Sequence, residues 1–365
     1  MKKILFLVNG HVAIYNFRLE IVERFIADGH EVHISSPYGE RIDDLIALGA
    51  VFHDIKMDRH SMNPIKDLKI LSEYKKLIRD VKPDICLGFT IKPNIYGSIA
   101  ARKYKVPFVA NITGLGTAAE NPGFAQKVII MLYRYAFKKV QRVFFQNEEN
   151  KAFFDKYRLA PGKGMIIPGS GVNLIRYPYV DYPDGDTVRF GFVSRIMKEK
   201  GIDQYLDAAQ SITSRYDNVE FHVCGFCEAE YDGKLQELHD KGVVNYHGMI
   251  RDVAGFMGQM NCIVHPSYYP EGLSNALLEA CATGRPIITT DRSGCREVVE
   301  DGVNGFMIPC QDSDALIAAI EKFLSMSREK RMQMGLEARD KVEKEFDRQI
   351  VVQKYIDELE IASRS

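Results

Sequence analysis

No run of about 18 or more uncharged apolar residues occurs in this 365-residue chain, so a helix spanning a bilayer is not expected. The opening Met1–Gly10 has an apolar core of only Ile4–Val8, and no small-residue cleavage site follows; it is expected to form a first strand rather than an export signal. The seven cysteines are odd in number and come without such a signal, which points to a reducing cytoplasm. Cys224-Gly225-Phe226-Cys227 lacks a second C-x-x-C or a paired-histidine spacing, so a redox or zinc half-site is disfavoured and Cys224 is read as a strand end. Net charge is nearly absent at −1, and no recognised nucleic-acid motif is present. Heptad seams, low-complexity tracts and sequence repeats detectable by eye are also lacking.

What is present is alternation. With 46% apolar and 27% charged residues, the composition is that of an ordinary globular protein, and the length exceeds one ordinary core. Strand-like runs at 1–8, 31–35, 84–88, 107–111 and 143–146 alternate with helical patterns, and the alternation resumes with 188–194, 219–224, 243–247, 262–265 and 286–290. Such order predicts an α/β fold of two doubly wound parallel sheets. Pro and Gly cluster between Pro168 and Asp186. The expected organisation is a Rossmann-like domain over 1–172, a linker over 173–187, a second Rossmann-like domain over 188–346, and a terminal helical segment over 347–365.

The near-neutral total conceals a split. Residues 1–172 hold 26 Lys and Arg against 17 Asp and Glu, whereas the remainder holds 22 against 32. A basic first half favours phosphates, diphosphates or an acidic membrane surface, although solvated helix faces explain the clusters Lys66/Lys69/Lys75/Lys76/Arg79 and Lys127/Arg134/Lys138/Lys139/Arg142 equally well. The segment Phe124–Lys139 is basic, aromatic and amphipathic; it fits either the plane of a membrane or the face of a sheet.

Chemistry concentrates in the second half. Val188–Ser194 is a strand that runs into Arg195-Ile-Met-Lys-Glu-Lys200-Gly201, placing two cations five residues apart where both can reach one diphosphate. Further on, Glu271-Gly272-Leu273-Ser274-Asn275-Ala-Leu-Leu-Glu279 sets one carboxylate before a helix and another inside it. Ser274 is expected to cap that helix, and Gly284 to end it. A helix N-terminus favours a diphosphate, and Glu279 is placed for ribose hydroxyls. Gly225, at a strand end, lets backbone approach a nucleotide. Neither of the triplets Asp184-x-Asp186 and Asp312-x-Asp314 follows a strand that would aim it into a cleft; the first lies in the linker, and Asp312 or Ser313 is positioned to cap a helix.

In the first half, three loops follow strands and should converge on one sheet edge. They are Asn9-Gly10-His11 running on to Arg18, Thr90-Ile-Lys92-Pro-Asn94, and Asn111-Ile-Thr113-Gly114-Leu-Gly-Thr117. Arg18 is read either as a ligand for an anionic acceptor or as an arginine paired on the first helix.

Arg195, Lys200 and the Glu271/Glu279 pair resemble the motifs of family 4 retaining glycosyltransferases of the GT-B fold, over essentially the whole chain. The Ile-Tyr-Asn-Phe-Arg, Lys-Pro-Asn and Gly-Leu-Gly elements resemble a bacterial subgroup, including N-acetylgalactosaminyltransferases, that extends undecaprenyl-diphosphate-linked saccharides in capsule, O-antigen or protein glycan assembly. The resemblance implies two domains facing a cleft, a terminal helix crossing back to the first domain, and transfer from a nucleoside diphosphate sugar, UDP-linked, to a lipid-linked saccharide. It further implies no cofactor, no metal and a peripheral place at the inner face of the cytoplasmic membrane. By the same resemblance Arg195, Lys200 and Glu271 are catalytic, and His247, Gly248 and Met249 join Gly225 and 272–275 in holding the donor. Asn9, Gly10, Arg18, Lys92, Asn94, Thr113 and Gly114 face acceptor or donor sugar. A family histidine expected within 90–94 is missing, with Lys92 or Asn94 as its replacement. The alternatives are a UDP-N-acetylglucosamine 2-epimerase-like isomerase and a non-catalytic subunit that binds sugar nucleotide.

Overall fold

The computed structural model describes residues 1–57, 64–116 and 121–364. The chain divides into two units, one formed by residues 1–170 together with the helix Arg348–Arg364, the other by Gly171–Asp347.

The first unit is built on seven strands: β1 (Lys3–Leu7), β2 (Glu31–Ser36), β3 (Val51–Asp54), β4 (Ile85–Phe89), β5 (Phe108–Ile112), β6 (Arg142–Phe145) and β7 (Gly164–Ile166). They pair in parallel in the order β3-β2-β1-β4-β5-β6-β7. Because side chains alternate along a strand, one sheet supplies two apolar layers. Leu5 and Leu7 enter one with Cys86, Ala110 and Phe145, while Ile4, Phe6 and Val8 enter the other with Leu87, Val109 and Phe144.

The second layer is completed by the carboxy-terminal helix. Val351, Val352, Tyr355 and Leu359 lie within it, and the Tyr355 ring packs 5.1 Å from Phe144 and 5.9 Å from Phe89. Its polar edge is tied as closely. Arg348 donates to Glu20 at 2.8 Å, Asn111 donates to the Tyr355 hydroxyl at 2.7 Å, and Arg142 donates to the buried Glu358 carboxylate at 2.6 Å.

The second unit repeats the plan with six strands: β8 (Val188–Val193), β9 (Val219–Cys224), β10 (Asn245–Tyr246), β11 (Cys262–His265), β12 (Ile287–Thr290) and β13 (Gly305–Ile308). Their parallel order is β10-β9-β8-β11-β12-β13. In both sheets chain order reverses beside the first strand, the place where open α/β sheets bind ligands at the strands' carboxyl ends.

Three strands go beyond the sequence reading: β3, β7 and β13. Each lies at a sheet edge, is three or four residues long and carries too little alternation to stand out. The amphipathic segment 124–139 forms a helix, Phe124–Ala136, with a short 3₁₀ turn. Ile129, Ile130, Tyr133 and Phe137 face the core, and Phe124, Met131 and Tyr135 face outward. Arg142, read with its basic cluster, is instead half of the ion pair that fastens the terminal helix.

Candidate functional site

In the second unit the site begins where β8 and β9 end. Gly225 has φ +145°, and a Cβ there would lie 1.7 Å from the carbonyl oxygen of Ser194, so only glycine lets these two strand ends approach. The Gly225 N–H donates to the Gly248 carbonyl at 2.9 Å, tying the β9 exit to the loop that follows β10. His247 and Met249 on that loop are exposed, as is Phe226 beside Gly225.

After β8, a 3₁₀ turn at Lys198–Lys200 ends in Gly201, where a Cβ would lie 2.1 Å from the Pro266 carbonyl oxygen. That turn is pressed onto the β11 exit, and the Tyr268 N–H donates to the Glu199 carbonyl at 2.9 Å. Two cations are thereby brought to one aromatic ring. The Arg195 guanidinium carbon lies 5.5 Å, and the Lys200 ammonium 5.1 Å, from the Tyr269 ring centre. Arg195 is exposed, whereas Lys200 is buried and contacts the Glu271 carboxylate. Burial holds the Lys200 ammonium down to about 8, with repulsion from Arg195 adding to the effect. Contact with Glu271 favours the charged form and opposes that shift.

Glu271 leads into the helix Asn275–Ala282. Ser274 occupies its N-cap position, but contrary to expectation the hydroxyl does not cap. It lies 3.1 Å from Nε2 of buried His265, while the Ser274 N–H donates to the Gly294 carbonyl at 2.7 Å. Burial, with Lys200 nearby, pushes His265 well below the usual histidine range and keeps the imidazole neutral. The first-turn N–H groups of the helix point away from its body, as at any helix start. Glu279 is half-buried one turn in, Gly272 is buried, and the Leu273 side chain belongs to the core, so position 273 offers backbone alone. Gly284, at φ +76°, follows the helix end as expected.

Behind the loop that follows β10 stands a chain of polar contacts. Arg189 donates to Glu220 at 2.9 Å, Glu220 lies 3.1 Å from His222 Nε2, and His222 Nδ1 lies 3.0 Å from His247 Nε2. Cys224 is buried, and the Cys227 thiol donates to the Glu228 carbonyl at 3.3 Å. Among the described residues no three His, Cys, Asp or Glu side chains gather as they would around a metal. Asp312 caps the helix Ser313–Leu324, and Asp184 pairs with Arg328.

The first unit presents Asn9 and Gly10 after β1, Thr90 and the helical turn that follows it after β4, and Thr113 and Gly114 after β5, on three neighbouring strands; the expected loop at 90–94 is helical from Ile91, with a π-helical segment at Pro93–Gly97. Thr117 lies outside the described residues. Lys92 donates to Asp67 at 2.9 Å, and Tyr96 holds the same carboxylate at 2.9 Å. Asn94 is wholly buried and donates to the Asn111 carbonyl at 2.8 Å, locking the helical segment after β4 onto β5. Arg18 is a correction to the acceptor-ligand reading. It is 3% exposed, donates to the Ser170 hydroxyl at 2.6 Å, and packs 4.9 Å from the Phe89 ring centre, so it staples the interior. Burial lowers its affinity for its proton.

Two features were not singled out from sequence. Tyr269 gathers both cations, which depends on two loops meeting. Thr90 holds φ +71°, rare for a β-branched residue, and its buried hydroxyl lacks a partner among the described residues. Strain at the carboxyl end of β4 makes Thr90 a stronger candidate than Asn94 for the place of the missing histidine.

Comparison with known proteins bears on family and fold. Residues 183–341 match the family model of glycosyl transferases group 1, and residues 3–147 match glycosyl transferase 4-like. The chain is 25% identical, over 96% of each sequence, to the N,N'-diacetylbacillosaminyl-diphospho-undecaprenol alpha-1,3-N-acetylgalactosaminyltransferase of Campylobacter jejuni. It is 28% identical, over 70% of each, to the UDP-Gal:alpha-D-GlcNAc-diphosphoundecaprenol alpha-1,3-galactosyltransferase of Escherichia coli. A glycosyltransferase of Rickettsia africae shares the fold with a TM-score of 0.82 at 17% identity, covering 100% of this chain and 99% of that one. The chain belongs to the group 1 glycosyl transferases, with the GT-B fold and a glycosyl transferase 4-like amino-terminal half, and is an enzyme of the transferase class.

Proposed function

We propose that the chain transfers a sugar, an N-acetylhexosamine or related hexose, from a UDP-linked donor to a lipid-diphosphate-linked saccharide, with retention at the anomeric carbon. The observation that carries this reading is the meeting of Arg195, Lys200 and Glu271 around Tyr269, beside the start of the helix Asn275–Ala282. Departure of a nucleoside diphosphate develops negative charge, and two fixed cations with a helix N-terminus stabilise it as a metal ion otherwise would. Glu279 positions ribose. Glu271 holds sugar hydroxyls, and its contact keeps the buried Lys200 aimed. Exposed Met249 and Phe226, either side of the Gly225–Gly248 bond, offer faces for a base.

The names of the Campylobacter and Escherichia relatives support undecaprenyl-diphosphate-linked acceptors in surface glycan assembly. Such acceptors reside at a membrane. No helix among the described residues is long and apolar enough to cross one. The exposed stripe of Phe124, Met131 and Tyr135, with Lys127, Lys138 and Lys139 also exposed, suits peripheral contact with an anionic leaflet.

A panel of nucleotide sugars, read by mass spectrometry against short diphospho-lipid saccharides with and without EDTA, tests the proposal. Transfer that survives EDTA and keeps the anomeric configuration supports it. Release of an epimerised sugar without acceptor replaces it with an isomerase, and loss of transfer in EDTA removes the metal-free mechanism.

A further inference from the structure

The first unit holds a cavity of ≈450 Å³ lined by Pro37, Lys56, Met57, Lys66, Lys69, Ile70 and Lys92. Its position follows from topology. Pro37 leaves β2, Lys56 and Met57 leave β3, and Lys92 lies beyond β4, so the cavity is at the carboxyl ends of three strands of a parallel sheet. Lys66 and Lys69 stand three residues apart in the first turns of the helix Pro64–Val81, on one helical face, where the helix dipole adds to their charge.

Among the described residues, four ammonium groups and no carboxylate line this space. Lys92 is already matched by Asp67, which also receives the Tyr96 hydroxyl, so that side is a fixed wall. Lys56, Lys66 and Lys69 are exposed. Met57 and buried Ile70 give the cavity an apolar side as well. A compact anion carrying two or more charges on adjacent phosphates, esterified to an apolar chain, satisfies both parts of this lining.

We propose that the Lys56/Lys66/Lys69 cavity binds the diphosphate of the acceptor, a reading that rests on the lipid-diphosphate acceptor proposed above. The donor's diphosphate has its own cations, Arg195 and Lys200, in the other unit. The same chemistry is offered by the phosphate headgroups of an anionic bilayer, and the two sources separate experimentally.

The test uses the full chain and a Lys56→Gln, Lys66→Gln, Lys69→Gln variant, with the corresponding triple arginine variant to retain charge. Geranyl diphosphate and inorganic diphosphate are titrated by calorimetry against geraniol as the uncharged control. Wild-type protein is expected to bind geranyl diphosphate and not geraniol. The glutamine variant should bind it on the order of tenfold or more weakly, the arginine variant should recover most of the loss, and UDP affinity should be unmoved. In turnover, the acceptor KM should rise by a similar factor. Equal affinity of wild type and glutamine variant for geranyl diphosphate overturns the proposal. So does an unchanged acceptor KM accompanied by lost binding to phosphatidylglycerol vesicles, which would make the cavity a bilayer contact. Binding of geranyl diphosphate at these lysines without transfer to any diphospho-lipid sugar would instead refute the lipid-diphosphate acceptor reading and leave the cavity a diphosphate site of another kind.

Discussion

His222 Nδ1 lies 3.0 Å from His247 Nε2, the two rings stacked at 5.3 Å, and this pair joins the β9 strand to the loop that follows β10. At most one proton can occupy the line between the two nitrogens. Burial lowers the proton affinity of His222, partial desolvation against its neighbours lowers that of the more exposed His247, and each has a second histidine's repulsion, His247 on His222 and His239 on His247.

A histidine whose folded affinity is lowered binds fewer protons folded than unfolded, so its stabilisation is present above the ordinary histidine value of about 6.5 and is lost as pH falls below it. Thermal unfolding of the full chain should therefore move to lower temperature between pH 7 and pH 5. His222→Gln should flatten that dependence while raising the KM for donor. A melting profile with the same pH slope in the variant would remove this pair as its source.

Lys200 sets a limit at the other end of the scale. Its ammonium, held down to about 8, loses charge as pH rises past that value, and with it the stabilisation of a leaving diphosphate that the proposed mechanism requires of it. Since kcat/KM reports the free enzyme, its pH profile should descend above about 8, and Lys200→Arg should carry the descent out of the accessible range. Arg195→Ala and Lys200→Ala should each lower kcat/KM by on the order of 10²-fold. Full activity in either would take that residue out of the mechanism.

Glu358 is 2% exposed and accepts hydrogen bonds from Arg142 and Gln141. Glu358→Ala leaves the guanidinium without its partner and should cost about 2–3 kcal/mol, measured by urea unfolding. Arg142→Ala should cost a similar amount. A stable Arg142→Ala protein would return that residue to the surface cluster with which its sequence neighbours suggested it belongs.

Gly225→Ala introduces a Cβ where the Ser194 carbonyl already is, at a φ that L-residues avoid. Stability should fall by on the order of 2–4 kcal/mol, and UDP binding should weaken more than acceptor binding. Unchanged UDP affinity in a folded variant would show that the β8–β9 approach is dispensable to the donor site.

Peripheral membrane contact is checked with phosphatidylglycerol vesicles. Lys127→Gln, Lys138→Gln and Lys139→Gln together should weaken association, each cation contributing about 1 kcal/mol near an anionic surface, and association should fall as salt rises. Salt-independent binding would refute an electrostatic attachment.

Much of this was legible in the chain, for identifiable reasons. Long apolar runs such as Ile85–Phe89 are buried on both faces and announce a central parallel strand, whereas Val51–Asp54, at an edge with both ends exposed, does not. Arg195 and Lys200 were legible because chemistry fixes their residue type and spacing. Tyr269 was not, since it matters only once two loops meet. Ser274 misled because cap residues are read locally, and its hydroxyl found His265 instead. One repetition also escaped. Lys3, Glu31, His33 and His53 are linked at 3.3, 2.8 and 2.9 Å on strands that correspond to those of Arg189, Glu220 and His222 and to β10, which His247 directly follows. The shared pattern is a mere Glu-x-His in each half, too short to notice without the sheets.

The terminal helix also fixes an order of assembly during synthesis. The first unit's second apolar layer lacks Val351, Val352, Tyr355 and Leu359 until the ribosome has made everything from Gly171 to Asp347. The unit that is translated first is thus completed last. Until then Phe89 and Phe144 wait without the ring that covers them, and a nascent chain stalled before Arg348 should be the form most in need of a chaperone.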